Sequence, residues 1–373
     1  CQSMSEFCCP KRWVVVILTH NEASALIQAC LQSVRAAADA LVLQEPTITV
    51  RIRIVDDSRP ELLAAWQDAA AGFGMEVVRV KGTISQKRNA GCAGVVADIV
   101  AFTDADCEVE WEWLIAHAAV YAAKPKVPGV VGRTLHQAND TLAYAAARHA
   151  GFLIGFQFPE MMRDTLWGPC SNLSLRMDAF SEVGGFNEAF SYASEDVDIG
   201  LRICTHTGDR LACSTAASVR HASEPFARGV TRRAWTWGSG EAILLSHHPE
   251  RRIFAPPKLW MFLVIALGWT ITDTLVCTRL FSLVWFAAVY LIGGPLQEAC
   301  ETNTNWAVVV QSRILQILFQ VRTSLELLRQ GYPHLLATQM NYGEGQFLHE
   351  WSSQTRFLWE FFVFLLLMGV TLR

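Results

Sequence analysis

Asp104 and Asp106 stand one residue apart at the end of a short apolar run in "DIVAFTDADCEVEWEWL", residues 98–114. In a strand, residues i and i+2 share a face, so both carboxylates would project together beyond Val100–Thr103. Like charges so placed repel, and keeping both ionised calls for a cation. Oxygen donors of this kind suit a hard divalent ion, magnesium or manganese, which keeps waters and shares its coordination with substrate phosphates. The same spacing also fits a solvated turn whose aspartate caps the next helix, so the pair alone does not decide.

The elements that would position the pair are legible around it. The stretches 13–19, 50–57, 75–80, 98–104 and 129–134 read as strands, and helix-like stretches begin near Glu22, Pro60, Ser85 and after Asp106. Strands alternating with helices predict an α/β fold, a Rossmann-like and mainly parallel sheet flanked by helices, whose ligands sit beyond the carboxyl ends of the strands. Three strands end in polar groups there: Thr19-His20-Asn21-Glu22, Asp56-Asp57-Ser58 and Asp104-Ala105-Asp106.

Composition narrows the class. Of the 373 residues, 51% are hydrophobic and 18% charged, against about 25% charged in a typical soluble domain. A net charge of −4 gives no reason to expect nucleic acid as a partner. The 11 cysteines show no C-x-x-C spacing, which indicates neither a zinc framework nor a disulfide scaffold, and they read as small buried hydrophobes in a reducing compartment. The opening "CQSMSEFCCPKR" has no apolar stretch after its charges, so no secretory signal peptide is expected.

The texture changes after residue 250. Apolar runs at 257–272, 280–294 and 357–372, with the basic "RRIFAPPK" ahead of the first, predict a membrane-associated helical region over 251–373. The basic positions Arg251, Arg252 and Lys258 would keep the preceding domain on the cytoplasmic side. Between the runs, residues 305–330 carry Arg313, Arg322 and Arg329 among apolar residues. This stretch fits an interfacial amphipathic helix or a helix packed on the preceding domain.

The ordered set "VVVILTHNEASALIQACLQSV", "RIVDDS", "SQKRNAG", "AFTDAD" and "WGPCSNLSLRMDAFSEVGGFNEAFSYASEDVDIGLRI" resembles the family-2 inverting glycosyltransferases of the GT-A fold. The resemblance covers about residues 12–250 and implies a catalytic domain there. It implies metal ligation by Asp104 and Asp106, with His221 where some members supply a third ligand. Thr19, Glu22, Asp56, Asp57, Lys87, Arg88 and Asp104 would hold the nucleotide sugar, a UDP-sugar foremost. Asp196 would be the general base, its basicity raised by Glu195, with Asp198 as the neighbouring decoy. Trp167, Gly184, Gly185 and Glu195 would border the acceptor. The cofactor implied is a divalent cation, Mg2+ or Mn2+.

Each residue also has a plainer role open to it. Lys87 and Arg88 fit ordinary helix charges, Glu195 and Asp196 fit the acidic opening of a helix, Trp167 fits the core, and His221 fits a structural histidine. Where processive members carry Q-x-x-R-W, this chain has Thr231 and Ala234 in "TRRAWTWGSG", which favours addition of a single sugar; the acceptor expected for a membrane-bound member is a lipid or lipid-linked hydroxyl. A polyprenyl-phosphate acceptor, which needs no base, and a catalytically silent membrane scaffold are the competing readings.

Overall fold

The computed structural model describes residues 10–136, 141–254, 299 and 302–343; the three apolar runs expected to meet the membrane lie outside the described residues. Two compact units divide the chain, one comprising 1–139 and 153–228, the other 140–152 and 229–373.

In the first unit β1 (Arg12–Thr19), α1 (Ser24–Gln44), β2 (Thr49–Asp56), α2 (Pro60–Ala64), α3 (Gln67–Gly72), β3 (Glu76–Arg79), α4 (Ile84–Cys92) and β4 (Ile99–Asp104) follow the expected alternation. Then come β5 (Cys107–Val109), α5 (Trp113–Ala123) and β6 (Gly129–His136). After α6 (Leu142–His149), which belongs to the second unit, the first continues with α7 (Ile154–Met161), β7 (Asp164–Thr165) and β8 (Leu173–Arg176). It closes with α8 (Met177–Glu182), α9 (Glu195–Thr207), β9 (Leu211–His221) and the start of α10 (Ser223–His247).

The sheet runs β3-β2-β1-β4-β8-β6-β9-β5, with β7 also on β9. Its first four strands are parallel, as the alternation predicts. The other half is mixed: β8 lies antiparallel between β4 and β6, β6 and β9 are parallel, and β5 and β7 run antiparallel to β9. β1 is buried along Trp13–Thr19, as a central strand covered on both faces must be. Register aligns the strand ends: Thr19 pairs with Asp56, and Leu18 with Asp104. Three polar ends therefore meet at one edge of the sheet.

α1 is long and apolar enough to cross a membrane by length and composition. Its Ile27, Cys30, Leu31, Val34, Ala37, Ala38 and Leu41 are instead buried in the same core as Trp13, Val15 and Ile17 of β1, so here the apolar face packs on the sheet.

A polar network pins α5 to β6, β8 and β9. Asn172 Nδ2 donates to the Arg133 and Ala217 carbonyls at 2.8 and 2.9 Å, which leaves Oδ1 to accept from Trp113 Nε1 at 2.8 Å and His117 Nε2 at 3.1 Å. With its proton on Nε2, His117 accepts at Nδ1 from Ser174 Oγ (2.8 Å), which lies 3.1 Å from Tyr121 Oη. Burial holds the His117 imidazole neutral, down to about 4, against the opposing hydrogen bond to Asn172. Asn172→Ala would orphan two donors and two carbonyls, so a loss of about 3 kcal/mol or more is expected in chemical denaturation. His117 has a lowered folded pKa, so the unfolded chain binds the extra proton. Stability should therefore fall as pH drops from about 6.5 towards 4, and His117→Gln should flatten that slope.

In the second unit α6 packs against α11 (Trp306–Arg329), and β10 (Arg252–Phe254) pairs antiparallel with β11 (Thr338–Met340). The predicted 305–330 stretch is thus a helix. A Cβ on Gly238 would collide with the Phe319 carbonyl oxygen, so α10 and α11 meet backbone to backbone there. Trp235 lies under the Arg322 guanidinium at 5.6 Å. Arg252 donates to the Leu245 and Ser246 carbonyls at the end of α10, so part of the basic stretch caps a helix.

Candidate functional site

The nucleotide-side residues gather at the ends of β1 and β2. Thr19 Oγ1 donates to Glu22 at 3.0 Å and lies 3.5 Å from Asp56 and 3.4 Å from Ser58 Oγ. Asn21 takes a left-handed φ of 60°, which turns the chain so that its amide donates to Ser58 Oγ and its side chain accepts from the Arg59 amide. Burial pushes the Glu22 carboxyl up, against its hydrogen bonds from the His20 amide and Thr19. Asp56 is wholly buried, paired with Arg79 and accepting from the Ser58 amide. Asp57, slightly more open, meets Lys87 Nζ at 3.0 Å and His20 Nδ1 at 2.7 Å. Of the two aspartates, Asp57 is the one that keeps exposed surface.

α4 is started by a capping box between Thr83 and Gln86, and it delivers Arg88 into the interior. Arg88 is 2% exposed, pairs through Nη1 with Glu195, and reaches Asp104 through Nη2 at 3.4 Å. Glu195 and Asp196 open α9 after Ser194, which sits at φ 69°. The second Glu195 oxygen is buried without a hydrogen bond. Asp196 is half-buried and accepts from the Val197 amide at 2.9 Å. Burial, and then the Glu195 charge, push the Asp196 carboxyl up to about 7, with Arg88 pulling the other way. Asp198 is committed elsewhere: Arg202 holds it at 2.6 Å and also binds the Val183 and Gly185 carbonyls.

Asp106 and His221 meet because β5 pairs with β9, Cys107 opposite His221. His221 Nε2 lies 3.6 Å from Asp106 Oδ1, while Nδ1 donates to the Ala222 carbonyl at 3.0 Å. That hydrogen bond fixes the ring with Nε2 on the side of the carboxylate, the orientation in which a cation between them would take both as ligands. Ligand atoms of Asp106, Cys107 and His221 all lie within 4.8 Å of one another. Asp104 is outside this trio and is paired to Arg88. His136 stacks on His221 with ring centroids 5.1 Å apart, and Phe156 packs edge-on to both rings.

Residues 14–197, which hold the strand ends and the start of α9, match glycosyl transferase family 2. The chain carries a family-2 glycosyltransferase domain. No curated protein matches it in sequence. Among solved structures, the mannosyltransferase PcManGT from Pyrobaculum calidifontis, in complex with GDP-Man and Mn2+, shares the fold. Its TM-score is 0.53 at 15% identity, over 84% of this chain and 87% of that one. GalNAc-T7 with UDP, GalNAc and Mn2+ matches with a TM-score of 0.43 at 16% identity over 57% of this chain. S. aureus TarS matches with 0.43 at 15% over 64%. The chain spans 44% and 43% of those two proteins.

In the glycosyltransferase domain Trp167 stacks edge-on against Phe158 at 4.9 Å, and its backbone abuts Gly200, one turn beyond Asp196 on α9. Gly184 and Gly185 take φ of 78° and 72° to end α8, and a Cβ on Gly185 would lie 2.8 Å from Asn89 Oδ1. Asn89 in turn donates to and accepts from the Phe186 backbone, both at 2.9 Å. This glycine turn thus fastens α4 to α8 and α9. The structure also brings in His20, Ser58, Arg79, Cys107 and His136, to which the sequence assigns no role. The polar run after each strand is the available signal for the first two; the others meet the site only through sheet pairing.

Proposed function

We propose that this glycosyltransferase moves a single sugar, with inversion, from a nucleotide-diphosphate sugar to an acceptor hydroxyl on a lipid or lipid-linked molecule. The observation that carries it is the Arg88 guanidinium, buried between Asp104 and the Glu195-Asp196 opening of α9. One cation there ties a carboxylate of the metal pair to the helix that presents a carboxyl poised near neutrality.

The residues divide the work. Thr19, Glu22, Asp57 and Lys87 border the nucleotide, with Asp56 holding Arg79 and Ser58 as their support. Asp106 and His221, with Asp104 beside them, would hold a divalent cation; the facing acceptor atoms fit one. Mn2+ accompanies GDP-Man in PcManGT. When bound, the cation neutralises charge on the departing diphosphate. Asp196 takes the acceptor proton, its raised basicity matching a hydroxyl deprotonated near pH 7. Trp167, Gly184, Gly185 and Glu195 shape the acceptor side.

The lipid acceptor and membrane location rest on the apolar runs at 257–272, 280–294 and 357–372 and on the basic 251–258 stretch. The catalytic domain, 12–250, then faces the cytoplasm, ahead of a membrane-associated 251–373.

The test is a screen of purified full-length protein against UDP- and GDP-sugars, reading released nucleotide with and without a lipid extract. Release that rises with the extract is the expected result; release with soluble acceptors alone would overturn the lipid reading. Alkaline carbonate washing should leave the chain in the membrane pellet, and its recovery in the wash would overturn integral attachment.

A further inference from the structure

α11 is amphipathic in the reverse sense for a helix facing water. It buries Ser312, Arg313, Thr323, Ser324 and Glu326, while Trp306, Ile314, Leu325 and Leu328 are 44–59% exposed. The buried polar groups are satisfied within the helix: Ser312 Oγ donates to the Val309 carbonyl at 2.7 Å, Thr323 Oγ1 to the Phe319 carbonyl at 2.9 Å, and Glu326 accepts from Arg322 at 3.1 Å and Gln330 at 3.0 Å. At steps of three or four residues the exposed side chains line up with Val310 and Val321 into one ridge, about 33 Å long at about 1.5 Å per residue. The charged residues of α11, Arg313, Arg322, Glu326 and Arg329, all fall off that ridge. In water the pattern is doubly unfavourable, since it desolvates ionic groups and leaves a continuous apolar surface wet. Against lipid it is the stable arrangement, with polar groups turned to the protein and apolar side chains to the acyl chains.

Three further observations favour lipid over a second copy of the chain as the occupant. Trp306 begins the ridge and Tyr332, also exposed, lies just past its other end, and such rings settle at the headgroup level. Phe254 is 79% exposed on β10, whose partner strand β11 follows α11, and it stands immediately ahead of the 257–272 apolar run. The charged side chain that α11 leaves most open is Arg329, a cation suited to lipid phosphate. The neighbouring α6 and α10 carry exposed Arg148 and Arg232, so these helices are not immersed and α11 meets the bilayer from its surface. We propose that α11 lies in the plane of a phospholipid membrane, with the Trp306–Leu328 ridge sunk about 5–10 Å into the boundary between headgroups and acyl chains. The inference rests on the reading of 251–373 as membrane-associated, and it adds to the apolar runs a separate contact made by α11.

The test photolabels the full-length wild-type protein in liposomes of phosphatidylcholine and phosphatidylglycerol. One phospholipid carries a diazirine at the carbonyl end of an acyl chain, and peptide mass spectrometry maps the lipid adducts. The expected result is adducts on Trp306, Ile314, Leu325 and Leu328 and none on Leu315 and Leu327, which are buried on the same helix. Moving the diazirine to the chain terminus should lower the yield on α11 at least about threefold, because the ridge reaches only the boundary. Equal or stronger labelling from the chain terminus would overturn the in-plane placement. Cross-links joining α11 of two copies, in place of lipid adducts, would assign the ridge to a protein interface and overturn the lipid contact. An unlabelled α11 in a chain that stays in the pellet through alkaline carbonate washing would sink this inference alone. An unlabelled chain recovered in the wash would sink the membrane reading with it.

Discussion

Asp196→Asn is expected to leave nucleotide-sugar affinity within about twofold and to lower transfer by about 10²- to 10⁴-fold, equivalent to about 3–5 kcal/mol of barrier. Asparagine keeps the side-chain volume but lacks the lone pair that takes the acceptor proton. Calorimetry for donor binding, beside turnover, separates the two effects. In the wild type, the carboxyl sits at about 7, so the rate should fall as pH drops below about 7 and level off above it.

The same carboxyl predicts a stability effect of opposite sense. Its folded pKa lies above the ordinary 3.8, so its contribution is fully present below about 3.8 and is lost as pH rises through about 7. At pH 8 the ionised group destabilises the fold, and Asp196→Asn should therefore raise the Tm while removing activity. Asp198→Asn is the control. Arg202 uses Asp198 to hold the Val183 and Gly185 carbonyls, so that variant should lower the Tm. A larger loss of turnover in Asp198→Asn at unchanged donor affinity would mean the base is misassigned.

Asp106→Asn is expected to abolish transfer and to weaken Mn2+-dependent nucleotide binding by about tenfold or more, because it removes the anionic ligand facing His221 Nε2. EDTA should do the same to the wild type, with recovery on adding Mn2+. Asp104→Asn should also lose activity. It additionally leaves Arg88 with Glu195 as its remaining partner among these carboxylates, so it is expected to lower stability where Asp106→Asn does not. Full activity in EDTA would overturn the metal reading for both positions.

The sequence by itself determined the parallel half of the sheet, because β1 and β4 are apolar runs whose burial demands a central position, β2 alternates apolar residues with Arg51 and Arg53, and each ends in polar residues at the strand ends. It also placed Asp196 at a helix start and the apolar runs beyond residue 250. The mixed half was not legible. β8 has four residues, and β9, "LACSTAASVRH", shows no apolar alternation, so both are strands only because neighbours supply their hydrogen bonds and packing.

Tertiary structure alone decided which charges meet. Arg88 finds Glu195 across 107 positions, a pairing that local pattern cannot encode. Asp56 and Asp57 are adjacent in sequence, yet one is buried against Arg79 while the other keeps surface beside Lys87, because successive side chains leaving a strand end point to opposite faces. Cys107 reads as a small buried hydrophobe by composition, and it lies in the core with Cys30 and Leu31 of α1. Antiparallel pairing of β5 with β9 is what brings Asp106 to His221, since a contact drawn from two strands exists only once their register is fixed.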